Sequence, residues 1–532
     1  MKHSLLRSAL QLMSLLGVSH LAQAQLDPSF GNNGRVFTAF SAAPTDKAVA
    51  VALQPDGKLI VAGQGREGLE LARYTTTGTL DATFGTGGKA TFLVPFPSVS
   101  PCYHFQASYI PTTVQTYGLC LQTDGKLVVV GSASQTASFV ARFLPSGALD
   151  TNFGSSGVTY ICGGTVSGYA VRVWQESSGG LVVAAHVVGA SNQAPGPGRG
   201  GFYHLLADGT LDSNGRNGYI RSYLRITDGL MDNAGRVVAV GWEDGYFINN
   251  NDFTRQLVLV RLANGELDAT FGTDGIATLN QLNNKSFVMG LAIAQMPNGQ
   301  LLVLGTSQLP FLARFNTNGT LDSSFGTGGT TDLGLTAFDN FPEMSLQADG
   351  KIIIVGTING DFVVRRLLPS GQPDTAYGLN GSVTVNEDVD DKLQDVLVQP
   401  DGKIVAVGYA AASARIENRS SRFTVLRLLP TGRALATAAG FNVAATLRAV
   451  PNPTTGDQLH VEMDWPTAAR ESVAVELLSP MGQVVTQTTL GPVGAGELRR
   501  VNLAADRALA AGMYVLRARC STGVVTSKVV LQ

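Results

Sequence analysis

Gln54-Pro55-Asp56-Gly57-Lys58-Leu59-Ile60-Val61-Ala62-Gly63, followed by Leu71-Ala72-Arg73-Tyr74 and Leu80-Asp81-Ala82-Thr83-Phe84-Gly85, is the stretch from which the fold follows. An Asp-Gly pair running into a β-rich apolar segment is a strong hairpin signal, and a type I′ turn with positive φ at both central residues is the expectation. The same turn recurs at Asp124-Gly125, Asp349-Gly350 and Asp401-Gly402, with weaker copies in 175–185, 231–241 and 295–305. A second motif, LDxxFGxxG, starts at Leu26, Leu80, Leu149, Leu267 and Leu321. Its copy at Pro373-Asp374 carries Tyr377 in place of Phe, and the copy at Leu211-Asp212 (LDSNGRNG) has lost the aromatic position. The motif aspartates, at 27, 81, 150, 212, 268, 322 and 374, are separated by 54, 69, 62, 56, 54 and 52 residues.

Each period reads as four short strands, in the first copy 35–40, 47–54, 58–63 and 69–74. Such meanders in tandem predict an all-β fold, a seven-bladed β-propeller of four-stranded meanders over 25–436. Radial closure would hide the sheet edges, with the N-terminal strand completing the last blade. Phe30, Phe84, Phe153, Phe271 and Phe325 are read as wedges between sheets. The motif aspartates are expected to bond turn amides or to meet the repeat arginines Arg73, Arg142, Arg261, Arg314, Arg366 and Arg427.

Composition allows this. Hydrophobic residues make up 44 % and charged residues 15 %, and the 62 glycines follow no three-residue period. Lys2, Arg7, the apolar stretch to Leu21 and Ala22-Gln23-Ala24 read as a signal peptide over 1–24. Its removal changes the net charge from −2 to −4 (36 basic against 40 acidic residues), which leaves no basic footprint for nucleic acid. No later run suggests a transmembrane segment in the mature chain. Cys102, Cys120, Cys162 and Cys520 have no metal-type spacing, and sequence leaves the disulfide pairing of Cys102, Cys120 and Cys162 open.

The period stops after Gly432; 437–447 reads as linker and 448–532 as a small β-sandwich. Alternation of LDxxFGxxG with QPDGKIVVxG resembles the delta-60 repeat of bacterial surface proteins, which implies a propeller-like fold and no reaction. Pro451-Asn452-Pro453, the strand containing Gly512 and Tyr514, and the terminal Lys528-Val529-Val530 together resemble the type A sorting domain of the type IX secretion system. That resemblance implies the export machinery as a partner, periplasmic transit, and a secreted or outer-membrane-surface location in a Bacteroidota-like bacterium.

Enzyme signatures are missing: no H-E-x-x-H, no Walker loop and no G-x-S-x-G. No catalytic residue, metal ligand or cofactor is assigned. The acidic run Glu387, Asp388, Asp390 and Asp391 offers hard oxygen ligands for calcium but lacks EF-hand spacing. Long insertions at 94–113, 190–201, 243–255 and 411–421 fall on one face of a four-strand meander. Because loops on a rigid scaffold carry binding, the candidate ligand contacts are Tyr103, His104, Tyr109, Trp242, Tyr246, Phe247, Asn250 and Arg415. The reading is a binding or scaffold protein whose ligand is a glycan or a protein. The alternative is an extracellular polysaccharide-degrading enzyme built on the propeller.

Overall fold

The computed structural model describes residues 26–41, 44–66, 68–94, 114–133, 137–161, 168–191, 194–214, 218–245, 254–282, 287–334, 338–388, 390–411 and 420–430 of a first compact unit. Of a second unit it describes 446–449, 459–465, 473–478, 484–491, 497–503, 512–520 and 523–531. Among the described residues of the first unit the strands form seven antiparallel sheets. Sheet 1 comprises Lys47–Leu53, Leu59–Gly65, Gly68–Tyr74 and Lys89–Phe92, in that spatial order.

The first strands of sheets 2 to 7 are Val114–Leu121, Gly168–Gln175, Leu224–Met231, Met289–Gln295, Glu343–Leu346 and Asp390–Val398. Each packs on the first strand of the next sheet, and that of sheet 7 packs on that of sheet 1, so the series closes on itself. The second and third strands are buried almost continuously, as in Leu59–Gly65 and Gly68–Tyr74. A sheet covered on both faces by its neighbours needs runs such as LIVA rather than strict alternation. The first strands instead alternate, as in Val114–Leu121, because one side faces the axis.

One expectation holds and one changes. Arg35–Thr38 completes the last sheet as its outer strand, paired from Arg35↔Leu426 to Thr38↔Phe423, so sheet 1 begins at Lys47 and takes Lys89–Phe92 as its own outer strand. The Asp-Gly hairpins, however, are not type I′. Gly57 has φ of 82° while Asp56 is not in the left-handed region, Gly57 N–H donates to the Gln54 carbonyl, and Gln54 pairs with Lys58. The loop is a type I turn closed by a glycine bulge, with Asp56 Oδ1 accepting the Lys58 N–H. The physical reason is steric: the type I turn with a glycine bulge places only Gly57 at positive φ, whereas the primed turn would also force Asp56 into the left-handed region. Asp124-Gly125, Asp349-Gly350 and Asp401-Gly402 behave alike, with φ of 82°, 79° and 80° at the glycines.

Neighbouring sheets are joined by one repeated device. Arg73 Nε donates to Asp81 at 2.9 Å, its guanidinium lies 4.9 Å from the centre of the Phe84 ring, and Nη1 reaches the Pro145 carbonyl of sheet 2. The aspartate bonds both turn and arginine: Asp81 Oδ1 accepts the Thr83 N–H and hydroxyl while Oδ2 faces Arg73. The Thr83 hydroxyl, then its amide, Lys58 and Arg73, hold the Asp81 carboxyl far below the usual range against the opposing pull of desolvation. Arg142–Asp150–Phe153, Arg261–Asp268–Phe271, Arg314–Asp322–Phe325, Arg366–Asp374–Tyr377 and Arg427–Asp27–Phe30 repeat the arrangement, with cation to ring-centre distances of 4.2–4.7 Å. Each of these rings is buried, and Phe271 lies under Gly319 of the following sheet.

In the second unit, Thr446–Ala449, His460–Trp465 and Glu497–Asn502 form one sheet. Val484–Leu490, Val473–Leu478, Gly512–Cys520 and Gly523–Leu531 form another, in that spatial order. Leu447, Val461, Val473, Val475, Leu516 and Val529 share one core. Among the described residues no helix is long and apolar enough to cross a membrane. Cys120 is a free thiol that burial pushes up to about 11, while Cys102 and Cys162 lie outside the described residues.

Candidate ligand-binding face

The axis is lined by one position of each first strand, the residue paired with the fourth residue of the second strand. Going round, these are Ala50, Gly118, Arg172, Asp228, Ala292, Glu343 and Asp395. In every sheet except sheet 6 the register shifts just before this position, a β-bulge that re-aims the side chain. Arg172 binds Asp228 at 2.8 Å and Glu343 at 2.6 Å, and donates to the Tyr117 carbonyl at 3.0 Å. Asp228 Oδ2 accepts the Ile293 N–H and Asp395 Oδ2 accepts the Val51 N–H. These amides belong to inner edges with no strand partner, so the carboxylates complete the backbone pairing of the next sheet.

One guanidinium thus serves three carboxyls. Burial opposes the Arg172 charge, but Asp228, Glu343 and Asp395 together raise its pKa. Burial, then the Asp228 charge, pushes Glu343 well above the usual range, and burial pushes Asp395 up to about 6 against the pull of Arg172. Between about pH 4 and about 6 the folded chain therefore holds a proton at Asp395 that the unfolded chain releases, and this contribution to stability declines as pH rises through that window. His186 acts with opposite sign: burial, then Arg225, lowers it to about 4, so it loses stability as pH falls from the ordinary imidazole range. Comparing Asp395→Asn with the parent chain cancels His186. Melts at about pH 4.5 and about pH 7.5 should show the parent losing on the order of 1 kcal/mol more stability on the rise than the variant does. Parallel pH profiles would refute the assignment.

Above this layer, on the side of the 243–255 and 411–421 loops, aromatic and basic side chains form an arc. Tyr117 stacks on Tyr169 at 5.5 Å and Tyr169 on His186 at 5.0 Å. Arg225, 43 % exposed, sits beside the Tyr169 hydroxyl and 3.7 Å from Asp244, which binds Arg255 at 2.6 Å. Arg255 lies 5.6 Å over Trp242, whose ring is 6.1 Å from that of Phe341. Phe341 is 60 % exposed.

Of the sequence candidates, only Trp242 falls within this description. It is 8 % exposed, so it forms the wall behind Phe341 and Arg255, and its indole N–H is buried with no partner among the described residues. Tyr103, His104, Tyr109, Tyr246, Phe247, Asn250 and Arg415 lie outside the described residues. So do Pro451, Asn452 and Pro453, whereas Gly512, Tyr514 and Lys528 lie on the paired strands Gly512–Cys520 and Gly523–Leu531. In the acidic run, Glu387 pairs with Arg35 and Asp390 with Lys392, while burial pushes Asp391 up to about 7. Among the described residues no group of three or more His, Cys, Asp or Glu side chains is placed to hold a metal ion.

Five segments, 54–84, 122–153, 297–325, 347–377 and 399–433, match one family, the domain of unknown function DUF5122 beta-propeller. The chain is similar to DUF5122 propellers. Each DUF5122 segment begins at or beside the turn between first and second strands, and the first four end on the wedge aromatics Phe84, Phe153, Phe325 and Tyr377. No curated protein matches the chain. Among solved structures, Drosophila Semaphorin 1a, extracellular domains 1-2, is 8 % identical over 74 % of this chain and 88 % of its own, with a TM-score of 0.40. The polysaccharide lyase Uly1 is 12 % identical over 71 % and 89 %, at 0.39. PorZ of Porphyromonas gingivalis, described as an essential bacterial surface component of the type-IX secretion system, is 11 % identical over 94 % and 68 %, at 0.28.

Proposed function

We propose that this chain is a secreted or surface-bound binding protein, a seven-bladed propeller followed by a β-sandwich that addresses it to the type IX secretion machinery. The ligand is a glycan chain bearing carboxylate or sulfate groups, held on the loop side of the axis. The observation that supports this reading is the arc itself. Rings at Tyr117, Tyr169 and Phe341 offer flat apolar surface, and Arg225, 43 % exposed, offers a guanidinium with donors to spare. Aromatic faces with an arginine fork suit a sugar chain carrying planar anions.

The test is titration of the purified full chain with acidic and neutral polysaccharides, with product release assayed in the same wells. Saturable binding of the acidic chains is expected, weakened about tenfold or more by Arg225→Ala, the scale of one charge-assisted hydrogen bond. Equal binding of neutral and acidic chains, or no effect of the variant, would overturn the reading. Turnover would favour the enzyme alternative.

A further inference from the structure

Two joints carry a cation at their outer rim beside a carboxyl group. Between sheets 6 and 7, Arg35 of the outer strand of sheet 7 meets Glu387 of sheet 6. Between sheets 7 and 1, the Lys89 ammonium reaches the Ala39 carbonyl, lies 5.6 Å from the Phe40 ring and favours the charge of the buried Asp46 carboxyl. Between sheets 5 and 6 the cation is Arg365, on the third strand of sheet 6, Asp361–Leu367. Arg365 is 8 % exposed, its Nη2 donates to the Leu333 carbonyl of sheet 5 at 3.1 Å, and its Nε is buried with no acceptor. Among the described residues no carboxylate pairs with it, and burial alone pulls its pKa below the ordinary guanidinium value.

The fold itself asks for no charge here. The residue before the joint arginine is Ala72, Ala141, Val260, Ala313 and Leu426 in sheets 1, 2, 4, 5 and 7, and Arg365 in sheet 6. Arg366 faces sheet 7, bonding Asp374 and the Pro430 carbonyl, so strand alternation turns Arg365 toward sheet 5. On the outer strand Ser382–Val385, Ser382 pairs with Arg365 and Thr384 with Val363, while Val383 and Val385 enter the core shared with sheet 7. Ser382 and Thr384 therefore stand on the face of Arg365. Both are half-buried, and neither hydroxyl bonds a described residue. Counting from Gly381 and Gly329, whose carbonyls accept the amides of Arg366 and Arg314, the position of Glu387 falls in sheet 5 on Leu335. The undescribed residues 335–337 are Leu, Thr and Ala and bring no acid.

A guanidinium keeps its proton in a protein, so burying one without a counter-ion is costly. We propose that the rim of this joint is a binding site for a tetrahedral oxyanion, a sulfate or phosphate group, held by Arg365 together with the Ser382 and Thr384 hydroxyls. The donors that Arg365 has to spare match an oxyanion in charge and geometry. The hydroxyls add neutral donors for its remaining oxygens, and a carboxylate, with two oxygens, would leave one of them unserved. This site lies between outer strands, away from the axis and from the arc on the loop side, and its assignment does not depend on the glycan reading.

Calorimetric titration of the full chain with sodium sulfate, with inorganic phosphate and with sodium acetate tests it, the ionic strength being held constant with sodium chloride. Saturable binding of sulfate or phosphate, and none of acetate, is expected. Arg365→Leu, which installs the residue type that sheet 7 carries at Leu426, should abolish binding while leaving the thermal melt cooperative. Ser382→Ala should weaken it about tenfold or more. Sulfate should raise the melting temperature of the parent chain and leave that of Arg365→Leu unmoved. Arg225→Ala should bind as the parent does, which separates this site from the arc. Tighter binding of glucose sulfate than of free sulfate would identify a sulfated glycan as the source of the group, and tighter binding of glucose phosphate a phosphate ester. Absence of saturation, equal binding of acetate, or binding untouched by Arg365→Leu would overturn the proposal. A lower melt of Arg365→Leu with no oxyanion present would also overturn it, assigning Arg365 to a structural bond with Leu333.

Discussion

Substituting alanine for Arg172 is expected to lower the unfolding free energy by about 3–5 kcal/mol at neutral pH, the scale of removing one partner from a buried ion cluster. The guanidinium neutralises Asp228 and Glu343 by direct contact and Asp395 through the field, and it holds the Tyr117 carbonyl. Without it, three carboxyls from sheets 4, 6 and 7 share one layer of the axis with no cation between them. The loss should shrink as pH falls toward 5, because protonated carboxyls no longer repel. Adding Glu343→Gln to the alanine variant should recover part of the stability. Urea melts of the two variants at about pH 7.5 and about pH 5 decide it. A loss below ~1 kcal/mol would mean that channel water already screens these charges.

Phe271→Ala should cost about 3–5 kcal/mol, the usual scale for a fully buried Phe. The ring is fully buried, lies 4.5 Å from the Arg261 guanidinium and supports Gly319 of sheet 5. Truncation removes apolar burial and a cation–π contact together, and it opens a cavity in the core that sheets 4 and 5 share. Denaturant melts check it, and a loss below ~1 kcal/mol would show that the neighbouring sheets close over the gap. Arg261 should respond in the same direction when replaced, since it bonds Asp268, Thr270 and the Thr317 carbonyl at once.

Much of the strand layout is local and was therefore legible. Gly57 and its counterparts need positive φ, and the apolar runs that follow have no polar face to give to solvent. These constraints act within a few residues, so a repeat of 52 to 69 residues announces its hairpins. Sheet membership is not local. Nothing in the order of strands says whether 35–40 opens the first sheet or closes the last, because either assignment gives four strands per period. Ring closure decides it by pairing Arg35 with Leu426.

The candidate sites divide the same way. Arg172, Asp228, Glu343 and Asp395 each precede by four residues the first residue of a hairpin turn, a spacing readable in the sequence once the phase is known. Charges at these positions of separate strands gave no hint that all four share one layer. Their meeting requires the bulge in the first strands of sheets 3, 4 and 7 and a radial arrangement that brings sheets 3, 4, 6 and 7 to a common axis. The sequence by itself determined the strands, their turns and the period, because backbone sterics and local hydrogen bonds set them. The tertiary structure alone decided which charges face one another and where space is left, because both depend on contacts between residues more than 50 positions apart.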